Sequence, residues 1–361
     1  MHPTFDKVHL KFKLNGSYFS HEDLKEVAYS LVKEGQIYER QMGHFLLDWL
    51  DDKDYIEVHT SGSTGAPKII RHAKQAMVNS AIATGNFFNL NPGNTALSCL
   101  PCTYIAGKMM MVRAIILGLE LDVVTPSLKP QFNTQKRYDF CAMIPLQLQN
   151  SLGTIKNIRI CIVGGAKVNQ NLIDQIQNKL VRIYETFGMT ETITHFALKP
   201  LNHTEKANSV YFKTLPSVTV AKDDRDCLVV KIPYLYENPL VTNDVVAIHS
   251  DTEFSWIGRY DNIINSGGIK VHPEQLETKL QKKMSNRFII TSVPDEEFQE
   301  KIVLLIEGEK EPVEDSVFKN LKPFERPKEI YFLPAFVETK SGKVNRTETL
   351  NAFKKTSSLI Q

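Results

Sequence analysis

One alternation constrains this chain more than any other feature. Short, nearly continuous apolar runs are separated by stretches with helical spacing. "TALSCLP", "ELDVVTP", "YDFCAMIP", "IRICIVGG" and "LVRIYETFG" read as strands buried on both faces. "IAGKMMMVRAIILG" and "NQNLIDQIQNKL" read as helices; in the second, Leu172, Ile173, Ile176 and Leu180 fall on one face. Strands of this kind joined by helices call for a largely parallel sheet, hence an α/β fold. From about Val218 to Ser255 the pattern shifts to short strands with polar turns, which predicts a small antiparallel part. After "GRYDN" come a helix ("HPEQLETKLQKK"), two strands ("FIITSVPD", "KIVLLIEG"), a helix ("DSVFKNLKPF") and a strand ("PKEIYFLP"). That is a compact α+β unit. A chain of 361 residues holds two domains, expected here at 1–260 and 261–361.

Composition narrows the function. There are 43 basic and 41 acidic residues, and that balance gives no reason to expect a nucleic-acid partner. Five cysteines fit reduced thiols in a cytoplasmic protein better than a disulfide framework. "CLPC" (Cys99 to Cys102) has metal or redox spacing, but it lacks a second pair or a histidine cluster, so it reads as incidental. The most apolar region, Leu97 to Val124, is interrupted by Lys108, Arg113, Glu120 and Asp122, which predicts no membrane span.

Five segments carry polar chemistry at the ends of predicted elements. "TSGSTGAPK", Thr60 to Lys68, joins the strand "YIEVH" to a strand end and a helix. Its hydroxyls, backbone N–H groups and lysine suit a phosphate, although it is not the Walker spacing; composition alone also allows an ordinary loop. "IVGGAKV" runs a strand into two glycines, which permits close approach of a flat ligand or simply a tight turn. In "YETFGMTET", Glu191 can bind a hard cation and Thr190 a phosphate; equally, the two can cap a helix start. Asp244 in "TNDVV" and Arg259 in "GRYDN" can hold ribose hydroxyls or form a surface ion pair. "ETKSGKVNR" projects Lys343 from a glycine-containing loop, or is an exposed basic segment.

The order of these segments resembles that of the acyl-adenylate-forming family of acyl- and aryl-CoA ligases, luciferases and adenylation domains, from about Tyr55 to Arg346. The resemblance implies a large N-terminal α/β domain, a small C-terminal domain on a hinge at Asp261, and three small-molecule reactants: ATP with Mg²⁺, a carboxylic acid, and coenzyme A. It implies that Thr60, Ser61, Gly62, Ser63, Thr64, Gly65 and Lys68 hold the β,γ-phosphates. Gly164, Gly165 and Ala166, with Phe187 and Gly188, flank the adenine or the acyl group. Thr190 contacts the α-phosphate, Glu191 holds Mg²⁺, and Asp244 and Arg259 take the ribose. Lys343 bridges the carboxylate and the α-phosphate. Gly268 leaves room for the pantetheine arm, and Lys270 meets coenzyme A phosphate.

Two departures stand out. The phosphate loop begins near residue 60, so the N-terminal subdomain is abbreviated. Tyr104 stands where the family's Pro-Leu-Phe-His step has its histidine. Within the family the compact chain resembles most the ligases that activate o-succinylbenzoate for menaquinone synthesis, an acid with two carboxylates. The spare carboxylate is expected to meet Lys108, with Tyr104 or His195. A solvated Lys108 is the alternative. Other readings are another acyl- or aryl-CoA ligase, a stand-alone adenylation enzyme, or a non-catalytic nucleotide-binding relative.

Overall fold

A computed structural model describes residues 3–59, 69–204, 211–338 and 344–358. Its centre is a thirteen-stranded sheet. Six neighbouring strands run parallel, in spatial order Lys13–Leu14, Glu120–Val123, Thr95–Ser98, Tyr138–Met143, Ile158–Val163 and Arg182–Gly188. The five predicted from the apolar runs are all among them. Alternate side chains enter different cores, as the two-residue period of a strand requires. From Ile158–Val163, Ile160 and Ile162 join one cluster, Cys161 and Val163 the other. The first cluster also buries residues of the helices His21–Glu34, Ile37–Trp49, Lys74–Phe88 and Ile105–Leu117. The second takes Leu148 and Leu172 from the helices Pro145–Ser151 and Gln170–Ile176. All five cysteines are buried and free, Cys99 and Cys102 included. No described helix is long and apolar enough to cross a membrane.

Two helix expectations need correction, while the antiparallel strands expected beyond Val218 are present. Through Phe212–Thr214 and His195–Pro200 they continue the parallel sheet edge to edge. The helix begun at Gln170 ends at Ile176, and Leu180 lies 83% exposed beyond it. "DSVFKNLKPF" forms two short 3₁₀ turns, Asp315–Phe318 and Pro323–Glu325, with Phe318 and Leu321 turned into the core. Pro323 has no N–H to continue a helix.

The antiparallel half is held by an aromatic cluster. Phe254 is fully buried, its ring stacked at 5.5 Å on Phe212 and 6.3 Å from Phe196, with Phe187 edge-on at 5.2 Å. Beyond residue 263 the second sheet, Ile264–Ser266, Ile269–Val271, Phe288–Asp295, Gln299–Glu307 and Glu329–Leu333, has hydrophobic cores of its own. In that lobe, Arg346 opens the last helix and pairs with Glu277 at 2.5 Å, while Glu277 also accepts from the Ile290 amide at 2.8 Å. The pair fixes where the segment following residue 343 rejoins the lobe.

Phe254→Ala removes the centre of the aromatic cluster and is expected to cost about 3–5 kcal/mol of stability, measured by chemical denaturation. A loss under about 1 kcal/mol would mean the antiparallel half is held by other contacts.

Candidate active site

The parallel strands bring the sequence-predicted segments to one edge. In a parallel sheet all carboxyl ends face the same side, where ligands bind in open α/β folds. Strand Ile158–Val163 delivers Gly164, Gly165 and Ala166 there. Strand Arg182–Gly188 delivers Thr190 and Glu191. Strand Thr95–Ser98 leads to Tyr104 and the helix Ile105–Leu117. A separate two-stranded ladder, Tyr55–His59 with Ile69–Ala73, flanks positions 60–68. Thr60, Ser61, Gly62, Ser63, Thr64, Gly65, Lys68 and Lys343 lie outside the described residues.

Gly165 takes φ +84°, the left-handed region that glycine reaches without a Cβ penalty, so the turn leaves the strand abruptly. Thr186 donates its hydroxyl to the Val163 carbonyl at 3.2 Å and stands beside Gly164. Sequence reading missed Thr186; its place on the strand between Tyr184 and Gly188 is the signal that finds it. Phe187, the residue that was expected to flank the ligand, is half-buried against Phe196, Phe212 and Phe254, which leaves part of its ring uncovered.

Thr190–Thr192 is a single 3₁₀ turn. Ile193 follows at φ 65° and ψ −56°, and the Thr194 amide donates to the Thr192 carbonyl at 2.7 Å. This is a γ-turn of the rare, strained hand, at a β-branched residue. Such backbone costs about 1–3 kcal/mol and persists only where packing over-determines it. Here the Ile193 side chain is buried in the core. The turn leaves Glu191 exposed, its carboxylate without an ion pair among the described residues. The Tyr236 hydroxyl donates to the Glu191 backbone carbonyl.

Asp244 is buried at the middle of a long strand, next to Arg259 in ladder register. Trp256 Nε1 donates to its Oδ1 at 2.9 Å, and the Arg259 guanidinium stands 3.8 Å from Oδ2. Burial pushes its carboxyl above the ordinary range against both of these partners. Arg259 also donates to Asp261 at 3.0 Å. At Gly268 a side chain would meet nothing within 4 Å, and Lys270 is exposed.

Of the three residues expected to read a second carboxylate, Tyr104 and Lys108 lie one helical turn apart, the Lys108 amide donating to the Tyr104 carbonyl at 3.2 Å, and His195 opens the strand His195–Pro200. Tyr104 is the helix N-cap and is exposed. The Lys108 amine lies 3.5 Å from the Glu57 carbonyl and 5.5 Å from the centre of the Phe45 ring. Burial lowers its pKa, offset by Asp48. His195 belongs to a different environment, with Arg113. Five helical positions separate Lys108 from Arg113, which turns the two side chains well apart.

Arg113 is 1% exposed and has no carboxylate partner among the described residues. It donates to Thr194 Oγ1 at 2.9 Å and approaches Met110 sulfur at 3.9 Å, and its buried Nε has no partner. Burial pushes it down to about 9. His195 is buried, with Nε2 unpartnered; burial first, and the Arg113 charge second, hold its pKa well below the ordinary value. Arg113 Nε and His195 Nε2 are both buried without a hydrogen-bond partner among the described residues, and Thr194 Oγ1 contacts both side chains.

A family model described as "AMP-binding enzyme" matches residues 48–228. The 2-succinylbenzoate–CoA ligases of Lactococcus lactis subsp. lactis (strain IL1403) and Haemophilus influenzae (strain ATCC 51907 / DSM 11121 / KW20 / Rd) are 24% and 25% identical to it. The alignments cover 83% and 80% of this chain and 72% and 68% of theirs. A solved acyl-CoA synthetase (AMP-forming)/AMP-acid ligase II-like protein from Dyadobacter fermentans DSM 18053 is 34% identical, with a TM-score of 0.61 over 91% of this chain and 98% of that one. The O-succinylbenzoate coenzyme A synthetase of Bacillus subtilis, solved with ATP and magnesium ion, has the same fold at 19% identity, with a TM-score of 0.70 over 81% of this chain and 69% of that one.

The His195 environment sets a pH dependence. Its folded-state pKa lies below the unfolded one, so the unfolded chain takes up the extra proton as pH falls below about 6.5. The stability it contributes is full above that value and is lost on acidification, by at most about 1.4 kcal/mol per pH unit. His195→Gln is expected to flatten the stability–pH curve below pH ~6.5 relative to the parent. Parallel curves for the two proteins would place the acid sensitivity elsewhere.

Proposed function

The chain belongs to the AMP-binding enzyme family, and from that membership we propose that it is an AMP-forming acid–CoA ligase whose acid is o-succinylbenzoate. The acid joins the α-phosphate of ATP with release of pyrophosphate, and the thiol of coenzyme A then displaces AMP from the acyl-AMP. The observation that carries the choice of acid is the buried, unpaired Arg113. A buried cation without a counter-charge is unfavourable unless a ligand supplies one. A dicarboxylic acid supplies it: one carboxylate is activated and the other meets Arg113, with His195 Nε2 and Thr194 nearby. The names of the relatives from L. lactis and H. influenzae point to the same acid.

In the first half-reaction two anions meet at one phosphorus, so neutralisation and alignment are the main requirements. Lys343 bridges the reacting carboxylate and the α-phosphate. The residues of 60–68 wrap the β,γ-phosphates, and Thr190 contacts the α-phosphate. The exposed Glu191 carboxylate, without an ion pair among the described residues, would hold Mg²⁺, and the ion would supply neutralisation of phosphate charge. Asp244 and Arg259 take the ribose, and the turn at Gly164–Ala166, with Phe187 and Gly188, receives the adenine. Domains 1–260 and 261–361 turn about Asp261 between the half-reactions. That turn withdraws Lys343 and brings Gly268 and Lys270 to the pantetheine arm and phosphate of coenzyme A.

Thioester formation from ATP, Mg²⁺, coenzyme A and a panel of o-succinylbenzoate, benzoate, succinate and medium-chain fatty acids tests the reading. Turnover is expected with o-succinylbenzoate and its loss in Lys343→Ala. Arg113→Met, close in volume, is expected to lower kcat/KM for o-succinylbenzoate about 30-fold or more, the cost of removing a buried charge partner. Lys108→Ala should leave it within a few-fold. Turnover confined to another acid would discard o-succinylbenzoate and keep the ligase chemistry. Nucleotide binding with no pyrophosphate release from any acid would favour a non-catalytic relative.

A further inference from the structure

Two residues that the reaction leaves unassigned stand next to the nucleotide-contacting positions. Lys167 follows Ala166. Its amine donates to Thr278 Oγ1 at 2.6 Å and lies 5.8 Å from the centre of the Trp256 ring. Thr278 is on the helix Pro273–Leu280, whose Leu276 and Leu280 belong to the core of the C-terminal lobe. Its hydroxyl is fixed for this contact by donating to the Glu274 carbonyl at 2.7 Å. The same Trp256 ring donates its N–H to Asp244. Lys167 therefore connects the adenine turn, the ribose strand and the C-terminal lobe.

Asn243 precedes Asp244. Its Nδ2 donates to both oxygens of Asp261, at 3.3 and 3.4 Å, and its Oδ1 accepts from Arg225 at 3.1 Å. The residue after Asp261 is tied from the other side, since Asn262 donates to Glu274 Oε1 at 2.6 Å. Glu274 is buried, and its Oε2 has no hydrogen-bond partner among the described residues. That oxygen packs closely over Gly258, 2.5 Å from where a Cβ there would stand, so a larger residue would have to displace it. The lobes are thus joined by polar contacts, and one of them, from the Arg259 amide at 3.5 Å, reaches this incompletely satisfied carboxylate. Such a seat is readily vacated.

We infer that Lys167 and Asn243 are positioning residues that couple occupancy of the nucleotide site to the orientation of the C-terminal lobe. Each places one residue between a nucleotide contact and a tie to the lobe or its hinge. A nucleotide that shifts the 164–166 turn or Asp244 shifts both ties, and by reciprocity lobe orientation alters nucleotide affinity. The inference rests on the proposed nucleotide contacts and hinge, and no catalytic contact is asked of either residue.

The test uses the full chain with Leu180→Cys and Lys310→Cys, two exposed positions on different lobes; the five native cysteines are buried. Donor–acceptor labels report the inter-lobe distance with and without saturating AMP, and calorimetry measures AMP binding. In the parent, AMP is expected to shift the distance distribution. In a Lys167→Ala/Asn243→Gly chain AMP still binds, but the shift of the lobe equilibrium falls about fivefold or more. Thr278→Val reproduces the Lys167 part from the other lobe, and Lys167→Arg restores it. An unchanged AMP-dependent shift in the double variant and in Thr278→Val overturns the coupling. AMP binding with no shift in the parent overturns it too, while the nucleotide contacts stand. A parent that binds no AMP sinks the nucleotide reading and the coupling together.

Discussion

The structure depends on the parallel pairing of six strands. Parallel pairing puts every strand's carboxyl end on one side of the sheet and sends each connection back across a face. Gly164–Ala166, Thr190–Glu191 and Tyr104 lie far apart in sequence and share an edge for that reason alone. The antiparallel strands add Asp244 and Arg259 in ladder register, because the sheet continues through His195–Pro200 and Phe212–Thr214 without a break. The same continuity seats Phe187 among Phe196, Phe212 and Phe254, so the packing of the antiparallel half and the shape of the site are one problem.

Charge is distributed unevenly around that edge. Glu191 is exposed and Arg113 buried, and neither has an ion-pair partner among the described residues. The two need opposite partners. An exposed carboxylate retains its hydration until a cation displaces it. A buried guanidinium has already lost most of its water, and it gains most from an anion that arrives desolvated. Thr194 spans the region between, since it donates structure to both: its amide closes the strained turn after Glu191, and its hydroxyl accepts from Arg113. The strain at Ile193 is thereby connected to the buried cation through a single residue. Relaxing that turn would move the hydroxyl that Arg113 uses.

The sequence made the parallel strands legible because their apolar runs are continuous and their neighbours are helices. It made the motif turns legible because glycine, threonine and acid at strand ends have few structural uses. Other features were not legible. Leu180 fits the helical period and lies outside the helix, since periodicity marks a face but not an end. The junction at Phe212–Thr214 is a three-residue strand, too short to alternate visibly. Lys108 does lie one turn from Tyr104, as its helical spacing requires, but its partial burial is not contained in spacing. A signal for Arg113 did exist: Met109–Val112 and Ala114–Leu117 are all apolar, so Arg113 is the one charge in a run long enough to be covered all round, and nine of the helix's 13 residues are buried.

The contacts between lobes follow a different economy from the cores. Each core is closed by apolar side chains, while Lys167 with Thr278, Asn243 with Asp261 and the Arg259 amide with Glu274 join the lobes through polar atoms. Apolar closure would be strong and indifferent to small displacements. Hydrogen bonds are weak individually and fail over a few tenths of an ångström, which makes them sensitive to position. Glu274 shows the consequence, because one of its oxygens is satisfied by the hinge and the other faces Gly258 with no donor. A carboxylate in that condition gains hydration when the lobes separate, so departure is partly offset by solvent. Polar ties adjacent to the nucleotide contacts therefore give the two lobes a connection that holds a defined orientation and still yields when the edge of the sheet changes what it binds.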